Sequence, residues 1–345
     1  MILTPLNNFK GFDLDNHLLD IRAQRTSPDL LVILPTNRKQ REFKKYLATN
    51  FQGKLTLPTE TIRSLALKIA KKIEPHFQII PEEILDIYLA EIVAGMKDND
   101  LVKNFTRGSV ELIKNTISEF KENDTNLNSL ILDLKELNPV NVEKALLLAR
   151  IWTELDIKLK ESKMKEMGDV YLLLQANKWR IPEAFKSLFP AVQQVFMQNF
   201  IELVSPEIDL VEGITTAVSN KIYIEFDYSK YNSNLFEKIE NCFSRLETAG
   251  FREYTDPRED LSPQFFSLVR ENLFKSGKKQ KTDLKNIFEF EGSTLHDEVT
   301  LVAKTIKKLL LEDKQSFPSD VCVLFHRVGN YTPWVRSIFN STASP

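Results

Sequence analysis

Glycine is scarce in this chain, with ten in 345 residues, and no Gly-Lys-Ser or Gly-Lys-Thr occurs anywhere. Upstream of Leu30 the sole glycine is Gly11. Loops that wrap phosphate in backbone amides need glycine for close approach, so the scarcity argues against phosphate-cradling loops as a class. Cysteine is scarcer still. Cys242 and Cys322 lie far apart and form no CxxC pair, so neither a zinc site nor a disulfide framework is suggested, and a reducing cytoplasm fits best. The four histidines, His17, His76, His296 and His326, stand at no metal-ligand spacing from one another. No segment approaches 18 uninterrupted apolar residues, and the start, MILTPLNNFKGFDLDNHLL, has no basic stretch followed by an apolar core. The expectation is a soluble, unexported protein with no membrane partner. Neither sign of charge is in excess: 46 Lys and Arg face 48 Asp and Glu, for a formal charge of -2. Any nucleic-acid surface must therefore be a local patch, because no global basic field exists.

What is present is enough apolar residue, 42% with 23 Phe, to build sizeable cores in two domains, or in one domain with a large insertion. Residues 30–47, LLVILPTNRKQREFKKYL, read as a buried strand (Leu30 to Leu34), a turn after Pro35, and a basic helix. A continuous Leu/Val/Ile run suits a parallel strand covered on both faces, and ligands of open α/β sheets gather at the carboxyl ends of such strands. The loop there holds Thr36, Asn37, Arg38 and Lys39. Their hydroxyl, amide and cationic groups, with the amides of a helix N-terminus, are what phosphate contacts use. A polar turn before a basic helix can equally be a plain solvated surface.

A short strand (Lys54 to Leu57) follows, then a helix with apolar residues at Ile62, Leu65, Ala66 and Ile69, for which Thr59 takes the N-cap position. From Pro75 to Pro190 the apolar spacing is helical throughout, as at Ile84, Ile87, Tyr88 and Ile92, or Leu146, Leu147, Ile151 and Leu155. This region reads as an all-helical insertion whose stripes form a bundle core. Strands return at Val192 to Phe200 and Asn220 to Tyr228. A helix beginning near Ser205-Pro206 lies between them, and another closed by Gly250 comes after. Residues 255–285 include a Lys-rich stretch, the best candidate boundary. A last α/β unit then shows strands at KNIFEFEG and DVCVLFHRV and helices at HDEVTLVAKTIKKLLLED and YTPWVRSIFN. One strand, helix, strand and helix start make a small, incomplete sheet. The expected organisation is a core over 1–74, a helical insertion over 75–190, the rest of the core over 191–284, and an incomplete α/β domain over 285–345.

This order resembles the UvrD/RecB type of superfamily 1 helicases, and most closely the AddB/RexB-like subunits of bacterial helicase-nuclease complexes, the inactivated superfamily I helicase group. ILPTNRKQREFKKYL is similar to motif Ia and TLPTETIRSLALKI to motif Ib. VFMQNFIELVSPEIDLVEG lies where these proteins carry a strand ending Asp-Gly-Phe and a helix, and IYIEFDYSKYNSNLFEKIENC resembles the next strand and helix. The stretch from FEGSTLHDEV to WVRSIF resembles the start of domain 2A through motif IV. The resemblance implies an α/β fold with a P-loop NTPase-like parallel sheet core, a large helical insertion and the start of a second α/β domain.

It also implies where a nucleotide site has degenerated. Gln198 and Asn199 stand where the pattern places an acidic residue, and neither carries the charge to anchor Mg²⁺. Glu225 and Asp227 on the next strand could substitute, although carboxylates there are more often edge or solvent residues. Arg327 matches the motif IV arginine that faces nucleotide in active relatives. Neither ATP nor Mg²⁺ is expected as a cofactor, and nothing here can carry the family's nuclease domain. By analogy Thr36, Asn37, Arg38 and Lys39, with Thr59 behind them, would touch a single-stranded DNA backbone. An active partner protein would supply ATP-driven motion in double-strand-break end processing and recombination repair. The rival expectation is a helical protein-interaction scaffold, with the insertion as its working surface.

Overall fold

The computed structural model describes residues 2–5, 14–24, 29–52, 55–96, 100–103, 105–123, 125, 127, 130–132, 142–226, 228, 232–254, 268–269, 271–275, 289–312, 317–318, 321–325 and 327–342. The chain forms two compact units, residues 1–276 and 277–345.

In the first unit, strand β1 (Ile2–Pro5) and helix α1 (Leu14–Gln24) precede strand β2 (Leu30–Leu34) and helix α2 (Asn37–Asn50). Strand β3 (Thr59–Thr61) runs directly into helix α3 (Ile62–Ile73). Next come strand β4 (Gln78–Ile79) and helices α4 (Glu82–Gly95), α5 (Arg107–Glu122) and α6 (Val142–Glu161). Strand β5 (Met164–Lys165), helix α7 (Met167–Ala176), a 3-10 turn (Lys178–Arg180) and helix α8 (Ile181–Leu188) lead back to strand β6 (Gln194–Phe200). Helix α9 (Ser205–Thr215), strand β7 (Ile222–Phe226), helix α10 (Ser233–Thr248) and strand β8 (Phe251–Tyr254) complete the unit.

The main sheet has the order β3-β2-β6-β7-β1-β8. Its first four strands are parallel, with Leu30 opposite Gln194 and Val195 opposite Ile222, while β1 runs antiparallel to both β7 and β8. Every side chain of β2 is buried because the sheet is covered on both faces. Leu31 and Ile33 point into a core with Val195, Met197, Ile222 and Ile224, covered by α3, α7, α8, α9 and α10. Leu30, Val32 and Leu34 point the other way, onto Leu18 and Ile21 of α1 and Phe43 and Leu47 of α2. The period-2 alternation of one apolar run thus feeds two cores. The fold is α/β, as expected from the sequence.

Three local expectations shift. The strand read over Lys54–Leu57 forms instead at Thr59–Thr61, paired with Val32–Leu34, and Lys54 lies outside the described residues. The Val32 amide donates to the Pro58 carbonyl (3.1 Å), which draws the residues after Pro58 into the ladder. The cap of α3 therefore falls two residues later. Thr61 Oγ1 accepts from the Ser64 amide (3.1 Å) and Ser64 Oγ accepts from the Thr61 amide (2.9 Å), a reciprocal box. Third, the region 75–190 is not wholly helical, since β4 and β5 pair in parallel at its base. A separate helical core forms from α4, α5 and α6, with Leu89, Ile117, Ile151 and Leu155 at its centre. Helices α7 and α8 bury Val170, Leu174, Ile181 and Phe185 against the sheet.

The helical lobe meets the sheet layer where α5 crosses α7. Lys121 is 1% exposed there, and its ammonium contacts Asp156 (2.6 Å), Glu166 (2.9 Å) and Asp169 (3.0 Å). Gly168 makes the crossing possible, because a Cβ there would stand 2.8 Å from the Lys121 carbonyl carbon. Arg63 of α3 adds an ion pair to Glu122 of α5 at 2.9 Å.

The second unit holds helices α11 (Leu295–Glu312) and α12 (Val328–Thr342), packed through Val299, Ala303 and Ile338. Tyr331 donates to Glu298 across the pair at 3.2 Å. Both strands expected here are unformed among the described residues: 289–292 and 321–325 make no ladder. Residues 285–288, Asp320 and His326 lie outside the described residues, as does most of the expected 255–285 boundary.

Candidate nucleic-acid interface

Strand β2 ends at Leu34, and the chain turns through Pro35 to Thr36, which caps α2 in an extended conformation with Oγ1 accepting from the Lys39 amide (3.2 Å). Burial of Phe43 and Leu47 sets the rotation of α2 about its axis. With that face inward, Thr36, Asn37, Arg38, Lys39, Arg41, Lys44 and Lys45 are all exposed. The first turn of α2 has no acidic residue, so the partial positive charge of the helix N-terminus adds to Arg38 and Lys39.

Glu42 is the one carboxylate of this helix. Its Oε1 accepts from Arg38 Nε (2.9 Å) and its Oε2 pairs with Lys39 Nζ (3.0 Å). Lys39 and Arg38 together hold the Glu42 carboxyl below its ordinary value.

Beside α2 a cleft of about 370 Å³ opens at the carboxyl ends of β2 and β6. Lys39, Glu42 and Tyr46 form one wall and Gln198 and Asn199 the other, over Leu14, Leu34 and Phe43. The second wall exists because the β6–β7 register shifts between Met197 and Phe200, with Asn199 in the left-handed region at φ 62°. Asparagine tolerates that conformation better than most residues, and the bulge re-aims its neighbours. The Tyr46 ring, 38% exposed, lies stacked 6.1 Å from that of Phe43.

The structure therefore brings together Thr36, Asn37, Arg38 and Lys39 with Gln198 and Asn199, two groups more than 150 residues apart in sequence. Thr59 sits behind them, 9% exposed, its carbonyl and hydroxyl accepting from Gln40 Nε2 at 2.7 and 3.2 Å. It braces the start of α2 from inside. Arg327 is exposed in the other unit, ahead of α12, with its carbonyl accepting from the Asn330 amide (3.1 Å). Asp227 lies outside the described residues, and Glu225 stands half-buried on β7 opposite Ile2. Sequence reasoning passed over Glu42 and Tyr46. The signal was available, because they stand three and seven positions beyond Lys39 and so share its helical face.

Among the described residues, no group of three or more His, Cys, Asp and Glu could hold a metal ion. None of their helices is long and apolar enough to cross a membrane.

No family model matches the chain. It is similar to the B-type subunit of the ATP-dependent helicase/deoxyribonuclease of Clostridium perfringens strain ATCC 13124, with 24% identity over 269 residues, 72% of this chain and 22% of the relative. The protein of the same name from strain 13 is 24% identical over 275 residues, covering 74% and 23%. The chain thus spans less than a quarter of the length of the curated relatives it matches. These comparisons support, at this level of identity, an AddB-like likeness: the chain resembles the B-type subunits of ATP-dependent helicase/deoxyribonucleases.

Proposed function

We propose that this chain is a helicase-like DNA-binding component of a helicase-nuclease assembly, gripping the single-strand backbone at the start of α2 without hydrolysing ATP. The observation that carries the reading is the exposed first turn of α2. Thr36, Asn37, Arg38 and Lys39 stand on a helix N-terminus at the carboxyl edge of parallel strands, where an anion gains from dipole and side chains together. The names of the relatives favour a nucleic-acid substrate, a partner protein and a place in DNA repair. The P-loop-like ancestry of the sheet belongs to the same proposal.

Two features support a backbone grip independent of nucleotide and Mg²⁺. The acidic position at the end of β6 holds Gln198 and Asn199, which cannot neutralise a divalent ion. Strand β1 runs antiparallel to β7, so its carboxyl end lies at the edge opposite α2 and delivers no phosphate loop directly to the cleft. An active partner would then supply the motor.

The test is anisotropy of a fluorescent oligo-dT titrated with the chain over a salt series, with and without ATP and Mg²⁺. The expected result is affinity that falls with salt and ignores ATP. Changing Arg38 and Lys39 to Ala should weaken binding and flatten the salt slope by about 1.4, two phosphate contacts at about 0.7 each. Absence of binding at low salt would overturn the reading.

One observation favours a second reading, a protein-binding scaffold. A cleft of about 870 Å³ lies between α4 and α5, with Ile87, Val93, Val102, Phe105 and Val110 among its apolar lining. Such a groove suits an amphipathic segment of a partner. That reading requires partner capture that survives loss of Arg38 and Lys39 and no DNA binding at all.

A further inference from the structure

Glu42 is out of place in a helix built to meet an anion. It is the single acid among Arg38, Lys39, Arg41, Lys44 and Lys45. It lies beyond the first turn, so the helix dipole gives it little, and the Arg38–Glu42 pair has the cation N-terminal to the acid, the weaker order for helix support. Its two oxygens are divided, Oε1 on Arg38 at 2.9 Å and Oε2 on Lys39 at 3.0 Å. Two non-bridging phosphate oxygens would make the same pair of contacts. The side chain is 46% exposed and lines the cleft with Lys39 and Tyr46, so it is free to swing into solvent.

We propose that Glu42 is an internal substitute for a backbone phosphate: it occupies Arg38 and Lys39 in the free protein, must be displaced by the strand, and so limits how tightly the strand is held. The inference rests on the DNA-binding reading above and deepens it. Displacement converts an intramolecular ion pair into an intermolecular one, so the net gain on binding is small and the strand can leave again. Two exposed ion pairs set the scale of the competition, which amounts to about three- to tenfold in affinity. The released carboxylate also takes up a counterion, which offsets part of the cation release that drives binding.

The experiment compares the whole chain with Glu42→Gln, with the Arg38→Ala/Lys39→Ala double variant, and with the triple variant, by oligo-dT anisotropy across a salt series. Glu161→Gln, an exposed carboxylate at the end of α6, controls for the change in net charge. Gln keeps the shape of an exposed side chain, and an unchanged thermal midpoint verifies the fold. The expected result is three- to tenfold tighter binding and a steeper salt slope for Glu42→Gln, no change for Glu161→Gln, and loss of the gain in the triple variant. If the parent chain binds through Arg38 and Lys39 but Glu42→Gln is no tighter, or Glu161→Gln tightens binding equally, the inference fails and the DNA-binding reading stands. If neither the parent nor Glu42→Gln binds at low salt, the reading itself fails and takes the inference with it.

Discussion

Lys121 shows how a single residue can hold two parts of a chain together. Burial, the largest influence, favours its neutral form, but Asp169, Glu166 and Asp156 outweigh it and hold the ammonium above its ordinary value. A buried charge of this kind is costly to orphan. Lys121→Met strands Glu166, which is 6% exposed, and should cost about 3–5 kcal/mol in urea denaturation. A loss below about 1 kcal/mol would mean that the cluster is not a structural joint. The sign of the pH dependence follows from the raised value. The native state binds this proton more tightly than the unfolded chain does, so the stabilisation is whole below the unfolded value, near 10.5, and is lost as pH rises above it. The parent should therefore lose stability above that pH more steeply than the Met variant, which can be read from midpoints across a pH series. Nothing in the sequence pointed to this cluster, whose members are spread from position 121 to 169 and meet only when α5, α6 and the α7 start have packed.

At the scale of elements, local chemistry was legible and facing was not. The Leu30–Leu34 run is a strand and the basic segment after it a helix, as the sequence predicts, because backbone propensity and side-chain period act within a few residues. The cap of α3 moved from Thr59 to Thr61 because both threonines suit a cap, and pairing with β2 decided between them. Helices α7 and α8 show apolar stripes like those of α4 to α6, yet they cover the sheet. A stripe states that a helix is covered, not by what. The α5–α7 crossing makes this testable. Gly168→Ala forces a methyl group against Lys121, and overpacking of this kind should cost about 1–3 kcal/mol. A neutral outcome would show that the two helices separate without penalty.

For the whole molecule, charge balance is the governing constraint. With a formal charge of -2 the chain attracts no polyanion at long range, so binding has to be concentrated where cations cluster on one face. Replacing Arg38, Lys39, Lys44 and Lys45 together by Ala should therefore abolish oligo-dT binding at low salt. Residual affinity within tenfold of the parent would place the nucleic-acid surface elsewhere in the chain. The small second unit has three buried apolar side chains to hold α11 and α12 together, against the two extensive cores of the first. Its stability per residue is correspondingly low, because apolar area removed from water is the main favourable term.

By itself the sequence determined the class of fold, the absence of a Gly-Lys-Ser/Thr phosphate loop and the basic face of α2, all consequences of residue type and short-range period. Tertiary structure alone decided that Gln198 and Asn199 stand across a cleft from Lys39, that Glu42 engages both cations, and that Thr59 turns inward. The physical reason is range. Propensity, capping and periodicity act over a turn of helix or a few strand residues, whereas the cleft depends on β6 pairing beside β2 after more than 150 intervening residues have folded elsewhere.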